Sequence, residues 1–156
     1  MPTLQLIPID RSGSPSDKCP QLDELATGVC AATARLYEKV GYVSPWLGYL
    51  ALFNERVVGV CSFTAPPVSG KVEIAYFTFP EFESRGIATS MARELVILAK
   101  ATEPGIIVTA QTLPQRNAST RILEKLGFAQ MRTGVDPEVG EIWEWELSQT
   151  GCLTTR

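Results

Sequence analysis

The sequence predicts a single α/β domain of the α+β kind, with a mixed, mostly antiparallel central sheet and helices on both faces. Short runs of β-branched and aromatic residues, bounded by glycine, proline and asparagine, indicate strands that return in tight turns. One amphipathic helix lies between two such runs, residues 72–79 and 105–109. A strand, a helix and a second strand form a right-handed crossover, so these two strands should be parallel neighbours. At 156 residues the chain suits one domain, residues 1–156, with its own core.

The N-terminal half begins with a strand and an amphipathic helix. The helix stops at Gly41, a residue that favours the left-handed conformation of a helix C-terminus. A second short helix is expected before Trp46, because Ser44-Pro45 is a typical helix start. A tight hairpin at Asn54-Glu55-Arg56 follows. In chain order the expected elements are strand 4–9, helix 22–39, strand 48–53 and strand 57–64.

The C-terminal half is organised around two further helices. The first follows Gly86, and its apolar positions recur three and four residues apart. Residues 105–109 are almost wholly apolar, as expected of a strand that is buried on both faces. The apolar helix positions are Ala88, Met91, Ala92, Leu95, Leu98 and Ala99. The remaining elements are helix 117–128, strands 129–132 and 141–147, the loop 135–140 between them, and a frayed tail at 148–156.

Composition and charge exclude several classes of function. The chain has 14 basic and 17 acidic residues, a net charge of −3, and no basic cluster that could neutralise nucleic-acid phosphates. No apolar run is long enough to span a membrane, and the N-terminal segment lacks the pattern of a signal peptide. The four cysteines are far apart and histidine is absent. We therefore expect no metal site, no histidine-based triad, and reduced thiols in a cytoplasmic protein.

The turn around Gly86 is the most informative stretch of the chain, because it leads from an apolar strand into a helix. The first N–H groups of a helix have no internal partner and lie at the positive end of its dipole, so they attract anions. Gly86 would let a phosphate approach the backbone closely, and the small Ala88 leaves room for it. The pattern predicts a phosphorylated cofactor that lies across the helix start. A plain connection between strand and helix is the alternative.

Two motifs, in this order, resemble those of the GNAT superfamily of N-acetyltransferases. Residues 83–88 (ESRGIA) resemble the Q/R-x-x-G-x-G/A loop that binds the pyrophosphate of acetyl-CoA. Residues 72–79 (VEIAYFTF) resemble the strand before that loop, and residues 117–128 (NASTRILEKLGF) resemble the second signature helix. The resemblance covers residues 48–147 and is strongest to the branch of ribosomal-protein N-terminal acetyltransferases. Glu83 stands where the family prefers glutamine or arginine, so its side chain should point away from the phosphates or bind a neighbouring residue.

The resemblance implies a site for acetyl-CoA as co-substrate. The pyrophosphate would lie on the helix start, and the pantetheine arm would pair with strand backbone where the two parallel strands splay apart. Asn117 would cap the second helix and contact the cofactor. The implied cofactor-binding residues are Phe77, Phe79, Ser84, Arg85, Gly86, Ile87, Ala88, Thr89 and Asn117.

Acetyl transfer to an amine needs a route for the amine's proton and stabilisation of the developing oxyanion. Glu73 is the ionisable residue of strand 72–79 and shares a face with apolar residues, so burial would raise its pKa and suit a base. A solvated or paired glutamate is the alternative. Many family members place a tyrosine where this chain has Leu123. Ser119 resembles a serine of the ribosomal-protein branch and is the second candidate catalytic residue, with helix capping as its alternative role.

The predicted function is transfer of an acetyl group from acetyl-CoA to a primary amine by direct attack with general-base assistance. A non-catalytic acyl-CoA-binding or sensing module is the alternative, because Leu123 and Glu83 depart from the family pattern. The acceptor would be a small-molecule amine or a protein N-terminal amine. The aromatic residues Tyr37, Tyr42 and Trp46 would line its pocket, although core packing explains them equally well. We expect neither nucleic acid nor membrane as a partner, and a homodimer is left open.

Overall fold

The computed structural model describes residues 4–15 and 19–147. In chain order its elements are β1 (Gln5–Pro8), α1 (Glu24–Val40), β2 (Gly48–Phe53), β3 (Arg56–Phe63), β4 (Lys71–Thr78), a 3-10 turn (Pro80–Phe82), α2 (Ile87–Thr102), β5 (Ile107–Thr112), α3 (Ala118–Lys125), β6 (Ala129–Asp136) and β7 (Gly140–Leu147). The tail expected at residues 148–156 lies outside the described residues. Within the described ranges, no helix is both long enough and apolar enough to cross a membrane.

The strands form one seven-stranded sheet in the order β1-β2-β3-β4-β5-β7-β6. Neighbouring strands are antiparallel except for β4 and β5, which are parallel and joined by the crossover helix α2. The predicted mixed, mostly antiparallel α/β fold is therefore confirmed. The prediction that the strands before and after α2 are parallel neighbours is confirmed as well.

Helices α1 and α2 lie on opposite faces of the sheet. Gly48 of β2 pairs with Ser62 of β3, so Gly48 and Gly59 point to different faces. A Cβ on Gly48 would lie 2.7 Å from Thr33 of α1, and one on Gly59 would lie 3.1 Å from Met91 of α2. Both glycines therefore allow a helix to pack closely on the sheet.

A gap opens between β4 and β5. The two strands pair at Lys71 with Ile107, at Val72 with Val108 and at Glu73 with Thr109. Beyond that point β4 continues against β3 alone, and β5 continues against β7 alone. The strands thus splay apart as the sequence predicted.

Two local predictions are wrong. Residues 44–47 form turns rather than a helix, with the Trp46 N–H donating to the Val43 carbonyl at 2.8 Å. Trp46 and Leu47 are both buried, so the chain enters the core here directly before β2. The hairpin turn is also narrower than expected, because Arg56 already belongs to β3.

Strand β5 is buried on one face, whereas burial on both faces was expected. Val108, Ala110 and Thr112 are buried, while Thr109 is half-buried and Gln111 is exposed. The second face is open because it lines a cavity on the side of the sheet away from α2. The prediction rested on the apolar residues at the start of the strand. It also ended the strand at residue 109, three residues before its end at Thr112.

Candidate active site

The connection from β4 to α2 leaves the first backbone N–H groups of that helix without partners. Gly86 is the N-cap residue, with a φ of +78° and no side chain that could cap the helix. Ser84 also has a positive φ, +65°, which is unusual for a residue with a side chain. The first helical bond runs from the Ser90 N–H to the Gly86 carbonyl at 3.1 Å. The N–H groups of residues 87–89 therefore have no acceptor in the described part of the chain, which is the geometry of an anion site.

A cavity of about 690 Å³, here called the helix-start cavity, opens in front of these N–H groups. It lies between the end of β4, the first turn of α2 and one face of α3. Its lining residues are Tyr76, Phe77, Thr78, Glu83, Ser84, Gly86, Ile87, Ala88, Thr89, Ala118, Ser119, Arg121, Ile122 and Lys125. The structure thus brings most of the predicted cofactor residues together with Ser119. The predicted residues Phe79, Arg85 and Asn117 do not line it.

The charges around the helix-start cavity favour a polyanion. Glu83, whose side chain was expected to point away from the phosphates or bind a neighbour, is one of the lining residues and forms no ion pair among the described residues. Arg121 and Lys125 of α3 offset this carboxylate and leave an excess of positive charge. Neither cation forms an ion pair within residues 4–15 and 19–147. Both are therefore available to phosphate groups.

The sequence reasoning missed Arg121 and Lys125, although a signal for them exists. Together with Ala118 and Ile122 they recur three and four residues apart, so they share one helix face. Leu123 belongs to the opposite, buried side of the helix. Because α3 lies beside the glycine loop, this cationic face borders the helix-start cavity.

Backbone groups along β4 alternate between its two neighbouring strands. The Glu73 carbonyl accepts a hydrogen bond from the Thr64 N–H at 2.9 Å, and the Phe79 N–H donates to the Val58 carbonyl at 3.0 Å. Odd-numbered residues of β4 therefore direct their backbone groups towards β3. Phe77, which lies between Glu73 and Phe79 in this alternation, does the same. The expectation that pantetheine pairs with the backbone of Phe77 and Phe79 is wrong for this reason.

The even-numbered residues direct their backbone groups towards β5 and the gap. The Gly70 carbonyl, just before β4, accepts a hydrogen bond from the Ile107 N–H at 2.9 Å. By the same alternation Tyr76 and Thr78 offer their backbone groups where β5 has already moved away. The backbone groups that face the gap thus belong to Tyr76 and Thr78, one residue before the predicted Phe77 and Phe79.

The start of α3 is capped by Asn117. The Thr120 N–H donates to Asn117 Oδ1 at 3.2 Å, and the Asn117 N–H donates to Thr120 Oγ1 at 3.0 Å. The predicted N-cap at Asn117 is therefore confirmed. Ser119 takes no part in this capping box, and within the described residues its hydroxyl forms no hydrogen bond. Leu123 is fully buried, with 0% exposure, so the position where many family members carry tyrosine lies in the core.

Glu73 lies on the other face of the sheet, in a second cavity of about 380 Å³. We call it the carboxylate cavity, and it shares no lining residue with the helix-start cavity. Burial raises the pKa of Glu73, and the negative charges of Asp136 and Glu144 raise it further. The direction agrees with the expectation, but the surroundings are polar rather than apolar. Gln111 Nε2, for example, lies 3.5 Å from Glu73 Oε1.

The cations of the carboxylate cavity are already paired. Lys71 Nζ lies 2.9 Å from Glu146 Oε2, and Arg132 Nη1 lies 2.8 Å from Glu144 Oε1. The hydrogen bond from Lys71 holds the pKa of Glu146 below its ordinary value. Among the described residues Glu73 has no cationic partner. Its carboxylate is thus free to accept a proton from a molecule in this cavity.

Two of the three aromatic residues considered for an acceptor pocket belong to the core. Tyr37 and Trp46 are buried, and the Tyr37 hydroxyl donates to the Ile9 carbonyl at 2.7 Å and accepts the Gly48 N–H at 2.9 Å. Tyr42 is half-buried and packs edge-on against Tyr37 with ring centroids 5.1 Å apart. Core packing therefore explains Tyr37 and Trp46.

A mixed sheet that opens between two parallel strands beside a helix-start anion cavity is the arrangement of the acyl-CoA N-acyltransferase fold. Residues 20–129 match the family model described as an acetyltransferase (GNAT) domain. Because this match spans well over half of the chain, the protein belongs to the GNAT acetyltransferases. The family resemblance of the motifs is thereby confirmed. No curated protein matches the sequence.

Solved structures share this fold at low sequence identity. RimL, a ribosomal L7/L12 α-N-protein acetyltransferase in complex with CoA, matches with a TM-score of 0.67 at 18% identity over 94% of each chain. A chimera of spermidine N-acetyltransferase SpeG from Vibrio cholerae and hSSAT matches at 0.69 and 11% identity, over 98% of this chain and 99% of that chain. MccE, a microcin C7 self-immunity acetyltransferase with acetyl-CoA and AMP, matches at 0.62 and 14% over 79% and 69%. At such identities the likeness shows the fold alone.

Proposed function

We propose that this protein transfers the acetyl group of acetyl-CoA to a primary amine, with Glu73 as the general base. The arrangement of β4 carries the proposal, because this strand borders both cavities. Its end and the helix-start N–H groups form one cavity, and an unpaired carboxylate with a raised pKa lies in the other. The gap between β4 and β5 begins beside that carboxylate. Acetyl donor and amine can therefore approach from opposite faces and meet at the gap.

Acetyl-CoA would occupy the helix-start cavity. The N–H groups of residues 87–89 would bind the pyrophosphate, with the backbone of Gly86 close to it and Ser84 and Arg85 nearby. Arg121 and Lys125 would bind the remaining phosphate charge. The fit is supported by the open space around Gly86, since a Cβ placed there would have no heavy atom within 4 Å.

The pantetheine arm would extend from the helix start along the open edge of β4. The backbone groups of Tyr76 and Thr78 face the gap and can pair with its amides, much as a strand edge binds a peptide. Asn117, whose side chain caps α3 through its oxygen, keeps its amide nitrogen for a contact with the cofactor.

The amine would enter through the carboxylate cavity, release a proton to solvent where it arrives as an ammonium ion, and attack the thioester carbonyl in its neutral form. As the new C–N bond forms, Glu73 takes the proton that the amine loses, either directly or through water. A raised pKa makes this carboxylate a stronger base than an ordinary glutamate. Ser119, which lines the helix-start cavity with an unpaired hydroxyl, is proposed to contact the thioester end of the cofactor.

The acceptor is proposed to be a small-molecule amine or a protein N-terminal amine. The acidic balance around Glu73, with Asp136 and Glu144 both acting on its pKa, favours an acceptor that arrives as a cation. The free thiols of Cys19, Cys30 and Cys61 support a reducing compartment, and we propose the cytoplasm. We further propose that residues 1–156 act as one domain.

A non-catalytic acyl-CoA-binding module is the second candidate, and the buried Leu123 is the observation that favours it. Calorimetry with acetyl-CoA, CoA and ATP tests the cofactor first, and binding of ATP but not CoA would reject both candidates. Thiol release from acetyl-CoA against a panel of amines then separates them. The panel should contain monoamines, polyamines and peptides with free N-termini. Turnover with any of them supports the enzyme, and tight CoA binding without turnover supports the module.

A further inference from the structure

We infer that the Tyr76 hydroxyl donates a hydrogen bond to the sulfur of CoA as that sulfur leaves. The inference rests on the proposed acetyl transfer and assigns one step of it. Tyr76 belongs to the open end of β4 and lines the helix-start cavity together with Ser119. The family motifs offer no tyrosine for this role in the present chain. Leu123, which is buried, occupies the position where many family members carry one.

The first observation is that the Tyr76 hydroxyl has no hydrogen-bond partner in the described part of the chain. Buried hydroxyl groups are normally hydrogen-bonded, since an unpaired one loses its bonds to water without replacement. Thr78 Oγ1 is the one buried side-chain polar atom that lacks a partner in the described part of the chain. The hydroxyl of Tyr76, two residues earlier on the same face of β4, forms no hydrogen bond to the described residues either. Thr78 Oγ1 is closed to solvent, whereas the unpaired Tyr76 hydroxyl is not among the fully buried atoms and can be reached by a ligand.

The second observation is the contrast with two other tyrosines. Burial raises the pKa of Tyr37, Tyr49 and Tyr76 to about 12. The hydroxyls of Tyr37 and Tyr49 donate to the carbonyls of Ile9 and Pro45, at 2.7 and 2.6 Å. Those two tyrosines hold the fold together, whereas Tyr76 lines the helix-start cavity and its hydroxyl has no partner among the described residues. A phenol with this pKa remains protonated, and hence a donor, throughout the neutral range.

The chemistry of the step needs such a donor. When the tetrahedral intermediate collapses, the C–S bond breaks and its electron pair remains on sulfur as a thiolate. The proton of the amine has gone to Glu73 and then to water, so charge and atoms balance without a further reagent. The thiolate stays hydrogen-bonded to Tyr76 and takes its own proton from water once it is released. A preorganised donor aimed at developing charge lowers the barrier for this cleavage.

The test measures the acidity of the bound thiol. CoA is bound to the wild-type protein, and the ultraviolet absorbance of its thiolate is followed as pH is raised. A hydrogen bond to a charged group should lower the pKa of the bound thiol by about one to two units, and Tyr76→Phe should abolish that shift. The other ionisable groups of the cavity are Glu83, Arg121 and Lys125, which are the same in both proteins and cancel in the comparison.

Turnover and affinity provide the second readout. Tyr76→Phe should reduce kcat by about 10–100-fold, the factor that corresponds to one hydrogen bond to a charged group. Its affinity for acetyl-CoA should stay the same, because the thioester sulfur carries no charge. Tyr49→Phe is the matched control, since it removes a hydroxyl that lies outside the cavity and whose pKa burial also raises to about 12. It should lower the melting temperature while leaving the bound thiol's pKa in place.

Each outcome bears on a different claim. A bound thiol in the wild-type protein that is no more acidic than free CoA overturns the inference, whether or not Tyr76→Phe folds. An unchanged thiol pKa and kcat in Tyr76→Phe overturn it too. A loss of the shift in Ser119→Ala but not in Tyr76→Phe would transfer the role to the serine. Wild-type protein that fails to bind CoA at all would instead refute the proposed function.

Discussion

Glu73 and Thr109 form the last paired position between β4 and β5, and the gap of the sheet starts immediately after them. Strand pairing with β5 thus holds the backbone up to Glu73, and the gap opens at the next residue of β4. Its side chain points to the open face of the sheet, and the helix-start cavity lies beyond the gap. Strand pairing therefore fixes the distance between the proposed base and the cofactor cavity.

Glu73→Gln should lower kcat by roughly 10²–10⁴-fold, the usual contribution of a general base. Its affinity for acetyl-CoA should not change, since Glu73 does not line the helix-start cavity. Steady-state kinetics with a saturating amine, combined with calorimetry, separate these two quantities. Glu146→Gln is the control, because it removes a carboxylate from the same cavity that is already paired with Lys71. Equal turnover in the two variants would remove Glu73 from the mechanism.

The pH dependence should report the same residue. The base acts in its ionised form, and its pKa is raised by burial and by the charges of Asp136 and Glu144. Activity should therefore fall on the acid side at a pH above the ordinary range of glutamate. Glu144→Gln removes one of the raising charges, so it should move this acid limb to lower pH. A limb that stays in place in Glu144→Gln would assign the titration to another group.

Stability should depend on pH in the opposite sense to that of a salt-bridged carboxylate. A folded-state pKa above the unfolded one means that the folded protein binds this proton more tightly. The contribution of Glu73 to stability is then fully present below the unfolded pKa and is lost as pH rises through the folded pKa. Glu73→Gln should be more stable than the wild type at neutral pH, and the difference should vanish in acid. Melting curves across that range measure it.

Gly86→Ala and Gly86→Glu should separate backbone strain from cofactor binding. An alanine at a φ of +78° should lower stability by about 1–2 kcal/mol. Gly70 has nearly the same φ, +77°, and equally open surroundings, so Gly70→Ala should cost the same. Only the Gly86 variants should weaken acetyl-CoA binding, and Gly86→Glu should abolish it by placing a negative charge in the phosphate cavity. Unimpaired binding by Gly86→Glu in calorimetry would contradict the assigned cofactor position.

Arg121→Ala and Lys125→Ala should each weaken acetyl-CoA binding by about tenfold, because each removes one charge-assisted contact to phosphate. The difference from the wild type should shrink as salt is added. Arg93→Ala is the matched control, since Arg93 is exposed on α2 and does not line the cavity. Equal losses for all three variants would mean that only the overall charge matters.

Ser119→Ala and Asn117→Ala should differ in what they change. Asn117 caps α3, so its loss should lower stability by about 1 kcal/mol. Ser119 is outside the capping box, so its loss should leave the melting temperature unchanged while turnover falls. A lower melting temperature in Ser119→Ala, without a change in turnover, would restore its structural role.

Local signals in the sequence were sufficient for much of the site. Gly86 marked the helix start because a glycine there takes a backbone conformation that other residues avoid. Asn117 marked the start of α3 for an equally local reason, since its side chain reaches a backbone N–H three residues ahead. Such features depend on a few consecutive residues, so one sequence is enough to find them.

Local signals could not show which residues of β4 direct their backbone groups towards the gap. Whether Phe77 or Thr78 faces the gap depends on which residues of β3 pair with this strand, and that register is set by a partner far along the chain. The surroundings of Glu73 posed the same difficulty, because Asp136 and Glu144 come from β6 and β7. Both errors concern contacts between distant segments.

In its proposed position along the open edge of β4, the cofactor would be a structural component of the sheet. Between Tyr76 and Thr78 on one side and the receding β5 on the other, the protein leaves the place of a strand empty. A bound pantetheine arm would supply the missing hydrogen-bonding groups. The cofactor would then take the place of a strand in the sheet. Ligand that binds only the folded state adds about 2.7 kcal/mol of stability at a concentration 100 times its Kd. The thermal tolerance of this enzyme would then vary with the cell's supply of acetyl-CoA.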